Sequence, residues 1–154
     1  MIYVALDIGA RPIEIQRLNV SWLDLNNSVI RVPQEDAAKS RENWICPIKD
    51  ETTRILDRWL DERDARQKYD GRNALWLIKY GNRYDKDSFR TVFRNVAKEA
   101  RFDLENRDLS PYSIRYSTGN YAEAEGGLAT AAKQLRHKSK QTTRKYSHSG
   151  VDQQ

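Results

Sequence analysis

The chain of 154 residues contains a single cysteine, Cys46. A disulfide framework and a thiolate zinc site both need several thiols at set spacings, so both are excluded, and a reducing compartment is expected. Long apolar runs are also missing. The longest, such as Ile2 to Leu6 and Leu75 to Ile78, fall far short of the roughly 20 residues that a membrane-spanning helix needs. The start lacks a basic segment, an extended apolar stretch and a cleavage site, so it does not read as a signal peptide. No Gly-x-Gly-x-x-Gly or phosphate-loop pattern occurs: Gly126 and Gly127 are adjacent, with no Lys-Ser or Lys-Thr pair after them, and a nucleotide cofactor gains no support. His137 and His148 are not matched to cysteines or carboxylates at metal-ligand spacing. The many carboxylates fall on helix faces that read as solvated, which argues against a two-metal nuclease. Neither a metal nor a cofactor is expected.

Glycine and proline are sparse, at 7 and 4, while 38% of residues are hydrophobic and four are tryptophan. That composition is too apolar and too evenly spread for disorder, and the length suits one domain around one core. Lys and Arg outnumber Asp and Glu by 27 to 22, a net charge of +5. The excess is local. Between Leu128 and Tyr146 lie Lys133, Arg136, Lys138, Lys140, Arg144 and Lys145 and no acidic residue, and setting those six aside leaves the rest near neutral. A solvated basic face is the plain reading of this run. A nucleic-acid contact is the sharper one, because phosphates held by Lys and Arg release condensed counterions.

The pattern along the chain predicts an α+β fold, mostly helical with one small three-stranded antiparallel sheet. Ile2 to Leu18 carries apolar residues at helical spacing around Gly9, Ala10 and Arg11, with Pro12 suited to opening a new helical turn. Val20 to Leu25, Ser28 to Val32 and Trp44 to Ile48 read as strands, the first two joined at Asn26 and Asn27. A polar loop, Gln34 to Asn43, separates the last two. Asp50 is the expected cap of a helix that turns Ile55, Leu56, Trp59 and Leu60 inward and Arg54, Arg58, Asp61 and Glu62 outward. Ala74 to Ile78 is a short buried strand or turn between polar loops. Phe89, Val92, Phe93, Val96, Ala97 and Ala100 share one face of a core helix capped by Asp87 or Ser88. Ser110 and Pro111 open a helix through about Glu123, which Gly126 and Gly127 end. Leu128, Ala131, Ala132 and Leu135 form the next helix face, and a last short helix spans about Gln141 to Ser147.

Cationic and phenolic groups stand at particular places in this frame. Arg11 precedes Glu14 by three residues, and Tyr112 precedes Arg115 by three, spacings that share a helix face. His137 ends one helix, Tyr146 follows nine residues later inside the basic run, and Lys39 lies in the loop between two strands. At these residues the chain resembles the catalytic domain of the tyrosine recombinases, the phage integrase family, over nearly its whole length. Gly9, Arg11 and Glu14 resemble the family's Gly-x-Arg-x-x-Glu motif, followed by Leu18, Trp22 and Asp24. Lys39 with Pro47 and Ile48 resembles its strand-turn lysine, for which Arg41 and Lys49 are competitors. Tyr112-Ser113-Ile114-Arg115 stands at its His-x-x-Arg, and Leu135-Arg136-His137, Thr142, Thr143 and Tyr146 at its Leu-Gly-His and nucleophile. The chain departs at Tyr112, where histidine is usual, and at Arg136, where glycine is usual.

The resemblance implies a site-specific recombinase acting through a 3′-phosphotyrosyl intermediate without metal or cofactor. The implied catalytic set is Arg11, Lys39, Tyr112, Arg115, His137 and Tyr146, supported by Glu14. Two guanidinium forks suit a phosphate gaining charge. Tyr146 is the nucleophile and Lys39 the general acid, and His137 holds a non-bridging oxygen. Tyr112 stands in as a donor, since a phenol of pKa about 10 does not titrate near 7 as histidine does. Lys133, Arg136, Lys138, Lys140, Arg144 and Lys145 are the expected DNA contacts. Double-stranded DNA is the implied partner, with self-association into a tetrameric synapse, in the cytoplasm of a prokaryotic host. Because members usually carry an N-terminal clamping domain, residues 1–154 are expected to be a catalytic-domain fragment. A type IB topoisomerase and a catalytically silent DNA-binding module are the rival readings.

Overall fold

A computed structural model describes residues 1–36 and 44–136. In chain order, helices α1 (Ile2–Ile8) and α2 (Pro12–Arg17) precede strands β1 (Leu23–Asp24), β2 (Val29–Val32) and β3 (Trp44–Pro47). Helices α3 (Asp50–Asp64), α4 (Lys86–Glu99) and α5 (Pro111–Gln134) follow. The chain divides into two compact units, one of Pro12–Val92 with Met1 and one of Ile2–Arg11 with Phe93–Gln154. Among the described residues no helix is long and apolar enough to cross a membrane.

In the first unit the strands form an antiparallel sheet of order β1-β2-β3, with Leu23 opposite Ile30 and Ile30 opposite Cys46. The expected strand Val20 to Leu25 shrinks to two residues between single turns of 3-10 helix, Val20–Trp22 and Leu25–Asn27. The carboxylate of Asp24 explains the second turn. It accepts from the backbone and side chain of Asn27 and from Arg31, and these bonds, the Asn27 side chain foremost, hold its pKa below the usual carboxylate value. Ser28 then takes a left-handed φ of 50° to enter β2.

Helix α3 presents Leu56 to the core as its pattern predicts, but Lys49 occupies the capping position and Asp50 is the first helical residue. Asp50 therefore acts on the helix dipole from inside the first turn rather than as a cap. Arg63, which the pattern does not single out, is buried and donates to the carbonyls of Arg72 and Ala74. Trp59 donates to Leu75 O at 2.8 Å and packs on Trp76 and Tyr69. Ala74 to Leu77 is buried and forms isolated β-bridges rather than a strand of the sheet, Asn19 with Ala74 and Leu77 with Arg83. The arginine of that last pair donates to the carbonyls of Gln16 and Leu18.

The cap of α4 is Asp85, whose Oδ1 accepts from Ser88 N at 2.7 Å, and not Asp87 or Ser88. Along α4 the four-residue ridges are chemically distinct. Phe89, Phe93 and Ala97 are buried, whereas Val96 is 44% exposed and Ala100 is also exposed, so the expected apolar face is only partly covered. Lys86, Arg90, Arg94 and Lys98 form a third ridge, exposed along its length. The helix ends with Phe102 N on Ala97 O and Arg101 N on Lys98 O, with Arg101 at a left-handed φ of 59°, a Schellman closure built on arginine.

Helix α5 opens at Ser110, whose N–H donates to Ser113 Oγ, with Pro111 in the first turn. It is two helical arms, divided at Gly127 (φ 77°, ψ −179°), a conformation open essentially to glycine alone. The break falls where the glycine pair predicts it. The short helix expected at Gln141 to Ser147 lies outside the described residues.

Candidate active site

The described part of the site is built within the second unit, where the end of α1 meets both arms of α5. Arg115 is central. It is fully buried on the first arm, and its two terminal nitrogens donate to Gly9 O and to Leu135 O. A planar fork can bridge two acceptors in this way while remaining charged. Gly9 stands two residues before Arg11 and Leu135 two before His137, so one side chain ties together the segments that carry two other predicted site residues.

The close approach explains why glycine stands at two positions. Gly9 has φ 60°, and a Cβ there would lie 2.9 Å from Thr118 Cγ2 and 3.2 Å from Leu135 Cδ2. At Gly119 a Cβ would lie 2.7 Å from Leu135 Cδ1. Leu135, itself fully buried, fills the space that both glycines leave. Arg136 follows at a left-handed φ of 54°, which gives a backbone reason for the glycine usual at this position.

Further side chains complete the junction. The C-terminal carbonyls of a helix lack partners within it, and in α1 they are met from α5. Thr118 Oγ1 lies 2.8 Å from Leu6 O, with its own Ile114 O at 3.1 Å, and Gln134 Nε2 donates to Asp7 O at 3.1 Å. Ala5 O accepts from Gly9 N at 3.0 Å. Sequence reading missed Thr118 and Gln134. Thr118 sits three residues after Arg115, on its helix face, which was a usable signal; Gln134 offers none.

The remaining predicted residues are distributed as follows. Arg11 is half-buried at the end of the α1 segment, and Glu14 is buried in the first turn of α2, in the other unit. Tyr112 is 46% exposed, so it does not share the buried environment of Arg115 despite the three-residue spacing. One side of that helix turn faces solvent and the other the junction. Lys133 is exposed in the last turn of α5 and Arg136 half-buried after it. Lys39, His137, Tyr146, Lys138, Lys140, Arg144 and Lys145 lie outside the described residues. Among the described residues no group of three or more His, Cys, Asp or Glu is placed to hold a metal ion.

Comparison with known proteins places this arrangement. The family model described as the phage integrase family matches residues 1–152. A tyrosine recombinase XerC of Bifidobacterium longum is 28% identical over 94% of this chain and 41% of its own length. A tyrosine recombinase XerA of Saccharolobus solfataricus is 28% identical over 99% of this chain and 46% of its own. The chain thus spans less than half the length of these relatives. The crystal structure of a XerA recombinase superimposes with a TM-score of 0.79 at 24% identity, covering 94% of this chain and 50% of that one, so the same fold recurs there. The buried arginine that bridges Gly9 and Leu135 therefore sits in the fold and sequence frame of the recombinases, and the chain belongs to the phage integrase family.

Proposed function

We propose that the full protein is a site-specific recombinase of double-stranded DNA that cleaves and rejoins strands through Tyr146. The observation that supports this most is the bridge from Arg115 to Gly9 and Leu135, because it draws the Arg11 segment and the segment leading to His137 to one point. Arg11 and Arg115 supply fixed positive charge where a phosphodiester gains negative charge during attack, and losing one such donor typically costs about 10² to 10³ in rate. Tyr146 attacks phosphorus and passes its proton to water as the 3′-phosphotyrosyl bond forms. The bond to the 5′-oxygen breaks, and Lys39 protonates that leaving oxygen. His137 donates to a non-bridging oxygen, Tyr112 replaces the usual histidine as a donor, and Glu14 supports Arg11. The phosphotyrosyl link conserves the bond energy for rejoining, so the chemistry needs neither metal nor nucleotide.

The basic residues from Lys133 to Lys145 hold the flanking phosphates. The exposed residues Lys86, Arg90, Arg94 and Lys98 on α4, a basic group about every 6 Å along the helix, offer further phosphate contacts. Two structures that share this fold are a Tn1549 transposon integrase in complex with transposon right end DNA and a lambda integrase dimer bound to a COC′ core site. Recombination further requires two duplexes held in a tetrameric synapse, in the cytoplasm of a prokaryotic host.

The test is a nicked suicide substrate incubated with the full-length protein. A covalent protein–DNA adduct forms, and Tyr146→Phe abolishes it. No adduct, or an adduct that survives Tyr146→Phe, refutes the mechanism; relaxation of supercoils without strand exchange returns the topoisomerase reading.

A further inference from the structure

We propose that Thr118 and Gln134 are positioning residues, which hold the last turn of α1, and with it the backbone that leads into Arg11, in register with Arg115. The proposal rests on the recombinase reading of the site. Helix α1 is seven residues long and has little intrinsic stability in isolation, yet only Gly9 and Ala10 separate its end from Arg11. Any shift or fraying of that last turn is therefore passed directly to the origin of the Arg11 side chain. The turn and the residue after it are held by three side chains of α5 acting on carbonyls within four residues: Thr118 on Leu6 O, Gln134 on Asp7 O and Arg115 on Gly9 O.

The arrangement is more than ordinary packing, because the three donors come from different places. Thr118 and Arg115 lie on the first arm of α5 and Gln134 on the second, beyond the break at Gly127. Gln134 is also the residue before Leu135, whose carbonyl Arg115 holds. The end of α1 is thereby fixed from two directions, by the arm that carries one site arginine and by the arm that leads to His137. Thr118 contributes shape as well as a donor, since its Cγ2 occupies the space opposite Gly9. A hydroxyl and an amide that neither titrate nor touch the reacting atoms act here through geometry alone, and misplacement of about 1 Å can cost on the order of 10²-fold in rate.

The test uses the full-length protein and four variants. Thr118→Val and Gln134→Leu remove the donor at similar volume, Gln134→Glu replaces it with an acceptor, and Thr118→Ser keeps the hydroxyl. Single-turnover cleavage of the suicide substrate at saturating protein should fall about tenfold for Thr118→Val and Gln134→Leu and further for Gln134→Glu. Thr118→Ser, which keeps the donor but gives up the Cγ2 opposite Gly9, should cleave faster than Thr118→Val, and DNA Kd should be unchanged throughout. Amide hydrogen exchange at Gly9, Ala10 and Arg11 should accelerate in the donor-less variants. The half-buried Gln134 carries the test if Thr118→Val does not fold. Unchanged exchange in Thr118→Val and Gln134→Leu, or wild-type cleavage rates in both, overturns the proposal. Accelerated exchange in variants of a wild type that forms no adduct supports the positioning role and refutes the recombinase chemistry instead.

Discussion

Arg115 is a strut between Gly9 O and Leu135 O, and the proposed mechanism asks it to serve as a cation for the phosphate as well. Lysine keeps the charge and loses the planar fork, so Arg115→Lys should reduce adduct formation by about 10² to 10³. Unfolding should become easier by roughly 1 to 3 kcal/mol, because a buried carbonyl loses its donor. Quenched-flow cleavage and urea titration read the two effects separately. Arg101 presents the opposite case, a residue whose conformation suits another side chain. Its left-handed φ of 59° costs about 1 kcal/mol in a residue with a Cβ, and Arg101→Gly should shift the urea midpoint upward by a comparable free energy. Neither the strut at Arg115 nor the left-handed turn at Arg101 is written in composition or spacing. The fork reveals itself only when residues more than a hundred positions apart meet, and arginine at the end of α4 carries no signal for a left-handed turn. Arg136 is different, since its replacement of a usual glycine marks the backbone conformation that the structure then shows at φ 54°.

Among the elements, α4 teaches how far periodicity reaches. Its apolar spacing located the helix, but exposure of Val96 and Ala100 shows that spacing names a face without saying what covers it. The cap moved from Asp87 or Ser88 to Asp85 because all three lie within four residues and only geometry selects the one whose carboxylate meets Ser88 N. That bond lowers the pKa of Asp85, the backbone of Ser88 being the largest cause. A depressed carboxylate stabilises the fold above its unfolded pKa of about 3.9 and ceases to do so as pH falls through the folded value. The thermal midpoint of Asp85→Ala should therefore lie below wild type at neutral pH and converge on it below about pH 4. The basic ridge on the same helix gives a second outcome. Replacing Arg90 and Arg94 with glutamine should weaken DNA binding at all sequences and flatten the plot of log K against log salt by about 2 units.

For the whole molecule, fold class and family were legible because five motifs in fixed order constrain the chain more tightly than any one of them. The division of α5 was legible as well, since two adjacent glycines mark a helix end and Gly127 adopts a backbone that other residues avoid. The placing of Glu14 in one unit and Arg115 in the other was not, because spacing along the chain says nothing of which core a residue joins.

The bonds that close the junction join residues 106, 112 and 127 positions apart. Synthesis proceeds from the N-terminus at about 5 to 20 residues per second, so α1 waits several seconds for the residues that secure its end. Contacts of such separation form only after loop closure has been overcome, which slows them relative to local structure. The junction of α1 with both arms of α5 is thereby scheduled as a late event in the life of the polypeptide. An interrupted translation product that stops before Gln134 carries Arg11 and Arg115 without the contacts of Gln134 and Leu135 that set the junction.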